Sequence, residues 1–135
     1  MIMAGETKSS VLIVEDDEFI SMIYEKKLSM EGYDVRVAKN GEEALSMMRE
    51  REPDLAFLDI LMPVKDGLET LREMRADTKL RGIKVVMLSN LSQDEEKNWA
   101  KSLGAMDYLV KSNLSVQDLA KKAREYIAGA SVVSN

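Results

Sequence analysis

The 135-residue sequence contains no cysteine and no histidine. Without cysteine there is neither a disulfide framework nor a thiolate zinc site, and nothing favours an oxidising compartment. Without histidine the commonest general base and the commonest transition-metal ligand are missing, which excludes a Ser-His-Asp hydrolase and a His-ligated zinc enzyme. Any chemistry must therefore run on carboxylates, hydroxyls and lysine. Long apolar runs are also lacking, and Met1 to Ser10 has neither the basic start nor the apolar middle of a signal peptide. A soluble, unprocessed, cytoplasmic chain with no membrane insertion is the expectation. Positive charge is in deficit, 19 Lys and Arg against 24 Asp and Glu for a net −5. That balance argues against direct nucleic-acid binding, which needs clustered basic residues.

What is present is enough apolar material, 45% of residues, for one compact domain. There is no internal repeat or low-complexity segment. The expected division is a flexible tail over 1–9, a single domain over 10–128, and a second tail over 129–135. Between the tails, short β-branched or aliphatic runs alternate five times with segments of helical period, the pattern of a parallel sheet with crossover helices. The strand candidates are Val11 to Val14, Val35 to Ala38, Leu55 to Leu58, Val85 to Leu88 and Tyr108 to Val110, all expected to be buried on both faces. The first helix spans about Glu18 to Met30, with Ile20, Ile23, Tyr24 and Leu28 inward and Gly32 ending it. Asn40 with Glu43 forms a capping box for the second, whose inward face is Ala44, Leu45 and Met48 and which Pro53 closes. A third covers about Leu68 to Arg75, a fourth starts at Ser92 with Glu95 as box partner and stops at Gly104, and a fifth runs from near Ser115 to Ile127.

Ligand sites in open parallel sheets form outside the carboxyl ends of the strands. The residues there are Glu15-Asp16-Asp17, Asp59, Ser89-Asn90 and Lys111-Ser112. Singly, each has a plain structural reading: acidic residues before a helix cap it, a serine after a strand is a turn residue, and a lysine is a solvated face. Asp59 resists such a reading, because it lies between the apolar runs Leu55 to Leu58 and Ile60 to Pro63, and an isolated buried carboxylate is costly. Charge balance makes the set coherent. Crowded carboxylates require a cation, all-oxygen ligation suits magnesium, and Lys111 supplies a second positive centre. A metal beside Asp59, an ammonium opposite and the Ser89 hydroxyl together suit incoming phosphoryl oxygens, with Asp59 a carboxylate nucleophile that forms an acyl phosphate.

Four stretches, Val-Leu-Ile-Val-Glu-Asp-Asp (11–17), Leu-Asp-Ile-Leu-Met-Pro-Val-Lys-Asp-Gly (58–67), Met-Leu-Ser-Asn (87–90) and Gly-Ala-Met-Asp-Tyr-Leu-Val-Lys (104–111), resemble the receiver domains of two-component response regulators. The resemblance covers about Ser10 to Ile127 and implies a doubly wound, flavodoxin-like α/β fold with five parallel strands and helices on both faces. It implies Asp59 as phosphoacceptor and metal ligand, Asp16 as a direct ligand and Glu15 as one acting through water. The Leu61 carbonyl then completes the protein's share of a Mg2+ site, with Mn2+ an alternative. Asp17 falls outside the acidic pair and is free to cap the first helix. Ser89 becomes the switch hydroxyl, Lys111 the phosphoryl contact, Tyr108 the aromatic that changes rotamer, and Gly67 the residue permitting a close backbone approach.

The implied partners are a sensor histidine kinase or histidine phosphotransfer protein upstream and a protein bound by the fourth helix, fifth strand and fifth helix downstream. Two departures stand out. Ser112 follows Lys111 where many receivers have a cis-proline, so no cis bond is inferred. Asn90 follows Ser89 where a smaller residue is usual, either narrowing donor access or adding a hydrogen bond. Two other readings are a magnesium-dependent phosphohydrolase with an aspartyl nucleophile, which lacks its acid/base Asp because Leu61 sits there, and a binding module that is never phosphorylated. The ten methionines are expected to fill the core, Trp99 to pack with Leu103, and Lys121, Lys122 and Arg124 to face solvent. No output segment is expected between Ile127 and Asn135, and the pattern suits a stand-alone receiver and a piece of a longer regulator alike.

Overall fold

The computed structural model describes residues 8–129. The expected tails lie mostly outside these described residues. Five βα units follow in order: β1 (Ser10–Val14), α1 (Glu18–Met30), β2 (Asp34–Ala38), α2 (Gly41–Glu50), β3 (Leu55–Leu58), α3 (Gly67–Ala76), β4 (Val85–Ser89), α4 (Asp94–Ser102), β5 (Asp107–Val110) and α5 (Val116–Ala128). All strand pairs are parallel, in the order β2-β1-β3-β4-β5. Alternate residues of each central strand feed two separate cores. Leu12, Val14, Ala56, Leu58, Val85 and Met87 pack with α2, α3 and Ala100 of α4. Val11, Ile13, Leu55, Phe57, Val86 and Leu88 pack with α1 and α5. This two-sided burial explains the uninterrupted apolar strands, and each fully buried side chain such as Phe57 contributes roughly 1.5–3 kcal/mol.

Several expectations need correction. β2 and β5 are not buried on both faces: only Ala38 and Leu109 are fully covered in them, because edge strands lack a neighbour on one side. In α1 the inward face is Ser21, Tyr24 and Leu28, while Ile23 stands 36% exposed. The Ser92–Glu95 box does not form; α4 begins at Asp94, and its N-cap Gln93 makes no side-chain bond. The Asn40 box is half made: Asn40 Oδ1 accepts the Glu43 N–H, but the Glu43 carboxylate takes the N–H of Lys39. A true box appears where only a start was expected, between Ser115 and Asp118. Trp99 is 52% exposed rather than packed, and Met22 and Met30 are exposed while Met48, Met74 and Met87 fill the core. Gly32 ends α1 as expected, with φ +96°.

Candidate functional site

The sheet order changes direction between β1 and β3, which opens a crevice at their carboxyl ends. β1 delivers Glu15 and Asp16 to it, β3 delivers Asp59, β4 ends in Ser89 and β5 hands over Lys111. Ligand oxygens of Glu15, Asp16 and Asp59 all lie within 4.8 Å of one another. Glu15, Asp59 and Ser89 are buried, whereas Asp16 faces solvent and leaves the cluster approachable. Lys111 Nζ lies 2.8 Å from Asp59 Oδ2 and also bonds Glu15 Oε1. The second oxygen of each buried carboxylate is held by backbone: Ile60 N–H donates to Asp59 Oδ1 at 2.7 Å, and Asp17 N–H to Glu15 Oε2 at 3.1 Å.

Burial pushes the Glu15 carboxyl above its ordinary range despite the pull of Lys111. Burial alone would push Lys111 down, but its hydrogen bonds to Asp59 and Glu15 outweigh that and hold it above the ordinary lysine value. The ammonium is therefore fully charged at neutral pH. Three carboxylates against one ammonium leave two negative charges uncompensated, a deficit that one divalent cation matches. The donors are all hard oxygens, as magnesium or manganese requires. The residues present fit such an ion.

Asp17 lies outside the cluster and caps α1, its Oδ1 accepting from Phe19 and Ile20. Asp66 caps α3 through the Glu69 N–H at 2.8 Å. Next to it Gly67 sits against the backbone of the phosphoacceptor candidate, where a Cβ would come 2.0 Å from Asp59 O. Ser89 and Tyr108 are also linked through Leu91, which sequence reasoning did not identify. Leu91 N–H donates to Ser89 Oγ at 3.3 Å, and Leu91 O accepts from the Tyr108 hydroxyl at 2.6 Å. Tyr108 is half-buried, and burial pushes its phenol above the ordinary value. Lys65 was also overlooked; it pairs with Glu42 of α2 and Glu73 of α3, and its carbonyl accepts Gly41 N–H, tying the loop after β3 to both helices. Its position inside the Met-Pro to Asp-Gly segment carried no signal of that tie. Leu61 is 63% exposed and apolar, so no acid/base group stands where an aspartyl phosphohydrolase would need one. The Lys111–Ser112 peptide is trans, like all others described, and is followed by a 3-10 turn over Lys111–Asn113.

Residues 11–124 match the family described as response regulator receiver domain. The chain belongs to that family. Among curated proteins it is similar to a probable transcriptional regulator, ycf27, of Guillardia theta, 42% identical over 106 residues that cover 78% of this chain and 41% of that protein. This receiver domain thus spans about two fifths of the length of the curated relatives it matches. Among solved structures it resembles a CheY-like receiver domain protein of Methanospirillum hungatei, with TM-score 0.83, 30% identity, and coverage of 90% of this chain and 95% of that one. It also resembles the phosphorylated cyanobacterial phytochrome response regulator RcpA, with TM-score 0.80, 26% identity, and coverage of 93% and 97%. For the Mn2+-bound form of the response regulator Rcp1 the TM-score is 0.75 at 26% identity, with coverage of 86% and 89%. The family is one of signalling switches, and its flavodoxin-like arrangement is the one described above. No helix among the described residues is long and apolar enough to cross a membrane.

Proposed function

We propose that this receiver domain accepts a phosphoryl group on Asp59 from a histidine kinase or histidine phosphotransfer protein and relays the event through α4, β5 and α5. The observation that carries this reading is the setting of Asp59: buried, in contact with the Lys111 ammonium at 2.8 Å, and surrounded by carboxylates with a cation-sized charge deficit. In the transfer, a carboxylate oxygen of Asp59 forms a bond to phosphorus as the phosphorus–nitrogen bond of the donor phosphohistidine breaks. The electron pair stays on the imidazole nitrogen, which takes up a proton. Lys111 now donates to both Glu15 and Asp59, and its donors are those that incoming phosphoryl oxygens would engage. A Mg2+ or Mn2+ ion held by Asp16, Asp59, the Leu61 carbonyl and, through water, Glu15 would supply further positive charge to those oxygens.

The relay follows from the Leu91 link. Ser89 Oγ accepts a long bond from Leu91 N–H, whereas a phosphoryl oxygen would offer its hydroxyl a charged acceptor. Drawing Ser89 toward Asp59 releases that N–H and shifts the residue whose carbonyl holds Tyr108. The test is intact-mass measurement after incubation with acetyl phosphate and magnesium. Wild type should gain one phosphoryl group and Asp59→Ala none; equal phosphorylation of that variant would sink the assignment, and equal phosphorylation after chelation would sink the metal.

A further inference from the structure

The two positions that depart from the receiver pattern meet in the structure. Asn90 Oδ1 accepts the backbone N–H of Ser112 at 3.0 Å. The β4–β5 ladder ends at the Ser89 and Val110 pair, so this bond joins the two loops beyond the last rung. Its location has a physical reason. Lys111–Asn113 form a single 3-10 turn closed by Leu114 N–H on Lys111 O at 3.1 Å, and the N–H groups opening such a turn have no partner inside it. A proline at 112 would carry no N–H; a serine does, and it leaves a trans peptide with a softer backbone. Asn90 satisfies that donor and restrains the same backbone.

The restrained turn is the root of Lys111, whose side chain is only 9% exposed and whose ammonium contacts Asp59 and Glu15. The restraining residue is bonded directly to Ser89, which is 1% exposed. One hydrogen bond thus extends the tie between the two backbones past the last rung, to the turn that roots the phosphoryl countercharge. The geometry points to Asn90 as a positioning residue for phosphotransfer, which holds Lys111 through Ser112 in place of a proline. This rests on the function proposed above. Electrostatic help from a fixed donor depends on its placement, so loosening the turn lowers the rate of transfer without weakening the encounter with the donor. The alternative, in which the Asn90 side chain merely narrows access, has the opposite sign: trimming it would speed the reaction.

The experiment measures phosphorylation of the whole chain by acetyl phosphate at saturating magnesium, across donor concentrations. Asn90→Ala should lower the limiting rate about fivefold, equivalent to ~1 kcal/mol, with the half-saturating donor concentration unchanged. In a Ser112→Pro background, where no N–H exists, the same substitution should change the rate by less than about twofold, since coupled partners are not additive. In magnesium-free protein, the Ser112 amide should exchange faster in Asn90→Ala but stay protected in Asn90→Asp, which keeps the acceptor oxygen. Asn90 and Ser112 are exposed, so none of these changes opens the core. An Asn90→Ala rate equal to or above that of wild type, an equal loss in both backgrounds, or unchanged exchange of the Ser112 amide would overturn the proposal. Wild type that takes no phosphoryl group would instead overturn the functional reading on which it rests.

Discussion

Replacing Gly67 by alanine tests whether α3 is seated directly on the backbone of Asp59. Gly67 opens α3, and its N–H donates to Ile60 O at 2.8 Å. An added Cβ would stand 2.0 Å from Asp59 O, 2.8 Å from Asp59 C and 2.9 Å from Ile60 Cα. Carbon and oxygen ordinarily touch at roughly 3.3 Å, so the two segments must part by more than about 1 Å. All three obstructing atoms are backbone, and no side-chain rotation relieves them. Overpacking of this kind typically costs about 1–3 kcal/mol. For a domain of this size that corresponds to a fall in Tm of roughly 4–12 °C. The displaced segment carries Asp59, the proposed nucleophile, and a misplacement near 1 Å can cost on the order of a hundredfold in rate. Gly82→Ala is the control, because its Cβ would meet nothing within 4 Å. It should be neutral or stabilising by up to about 1 kcal/mol through the unfolded chain. Thermal melts and acetyl phosphate kinetics on both variants decide the matter. Gly67→Ala with wild-type Tm and wild-type rate, or Gly82→Ala equally damaged, would refute the reasoning.

Two further outcomes are expected. Leu61 and Leu91 have apolar side chains that cannot orient a hydrolytic water, so the acyl phosphate proposed at Asp59 should persist on the order of minutes or longer. Decay after donor removal measures this: Leu61→Asn with Leu91→Glu should shorten the lifetime, and a wild-type half-life of seconds would contradict it. Burial raises the pKa of Tyr24, Tyr33, Tyr108 and Tyr126, so the folded state holds these protons more tightly than the unfolded chain does. Stability from them is fully present below the unfolded value of about 10 and is lost as pH rises through the higher folded values. Absorbance titration of the native protein should show the tyrosines ionising above the midpoint of the unfolded chain; a native midpoint at or below the unfolded one would count against the packing described.

The fold was legible because its signals are local. Apolar runs such as Val11 to Val14 and Leu55 to Leu58 are uninterrupted because both faces of a central strand meet helices, and the Gly32 and Ser115 signals act within one helical turn. The acidic pair, Asp59, Ser89 and Lys111 could be placed at one edge because a parallel sheet brings the ends of its strands together whatever their separation in sequence. Edge burial was legible only in part: Arg36 interrupts β2, a sign that one face is open, whereas Tyr108 to Val110 of β5 are as apolar as an inner strand and only the strand order shows that β5 lacks a neighbour.

Exposure was equally hidden for Trp99 and Ile23, since helical spacing defines an inward face only once the crossing of helix and sheet is known. The Ser92–Glu95 box failed although its spacing was right, whereas Asn40 reached its target, because a cap depends on how the chain enters the helix. Residue identity alone determined which groups could do chemistry here: carboxylates, a hydroxyl and one amine, with no imidazole or thiol. Tertiary structure decided which partners those groups face. Lys111 meets Glu15 from 96 residues away, Leu91 stands between Ser89 and Tyr108, and Asn90 takes up the N–H that Ser112 has and proline would lack. Hydrogen bonds are short-ranged and directional, so such pairings exist only after the sheet has set the distances.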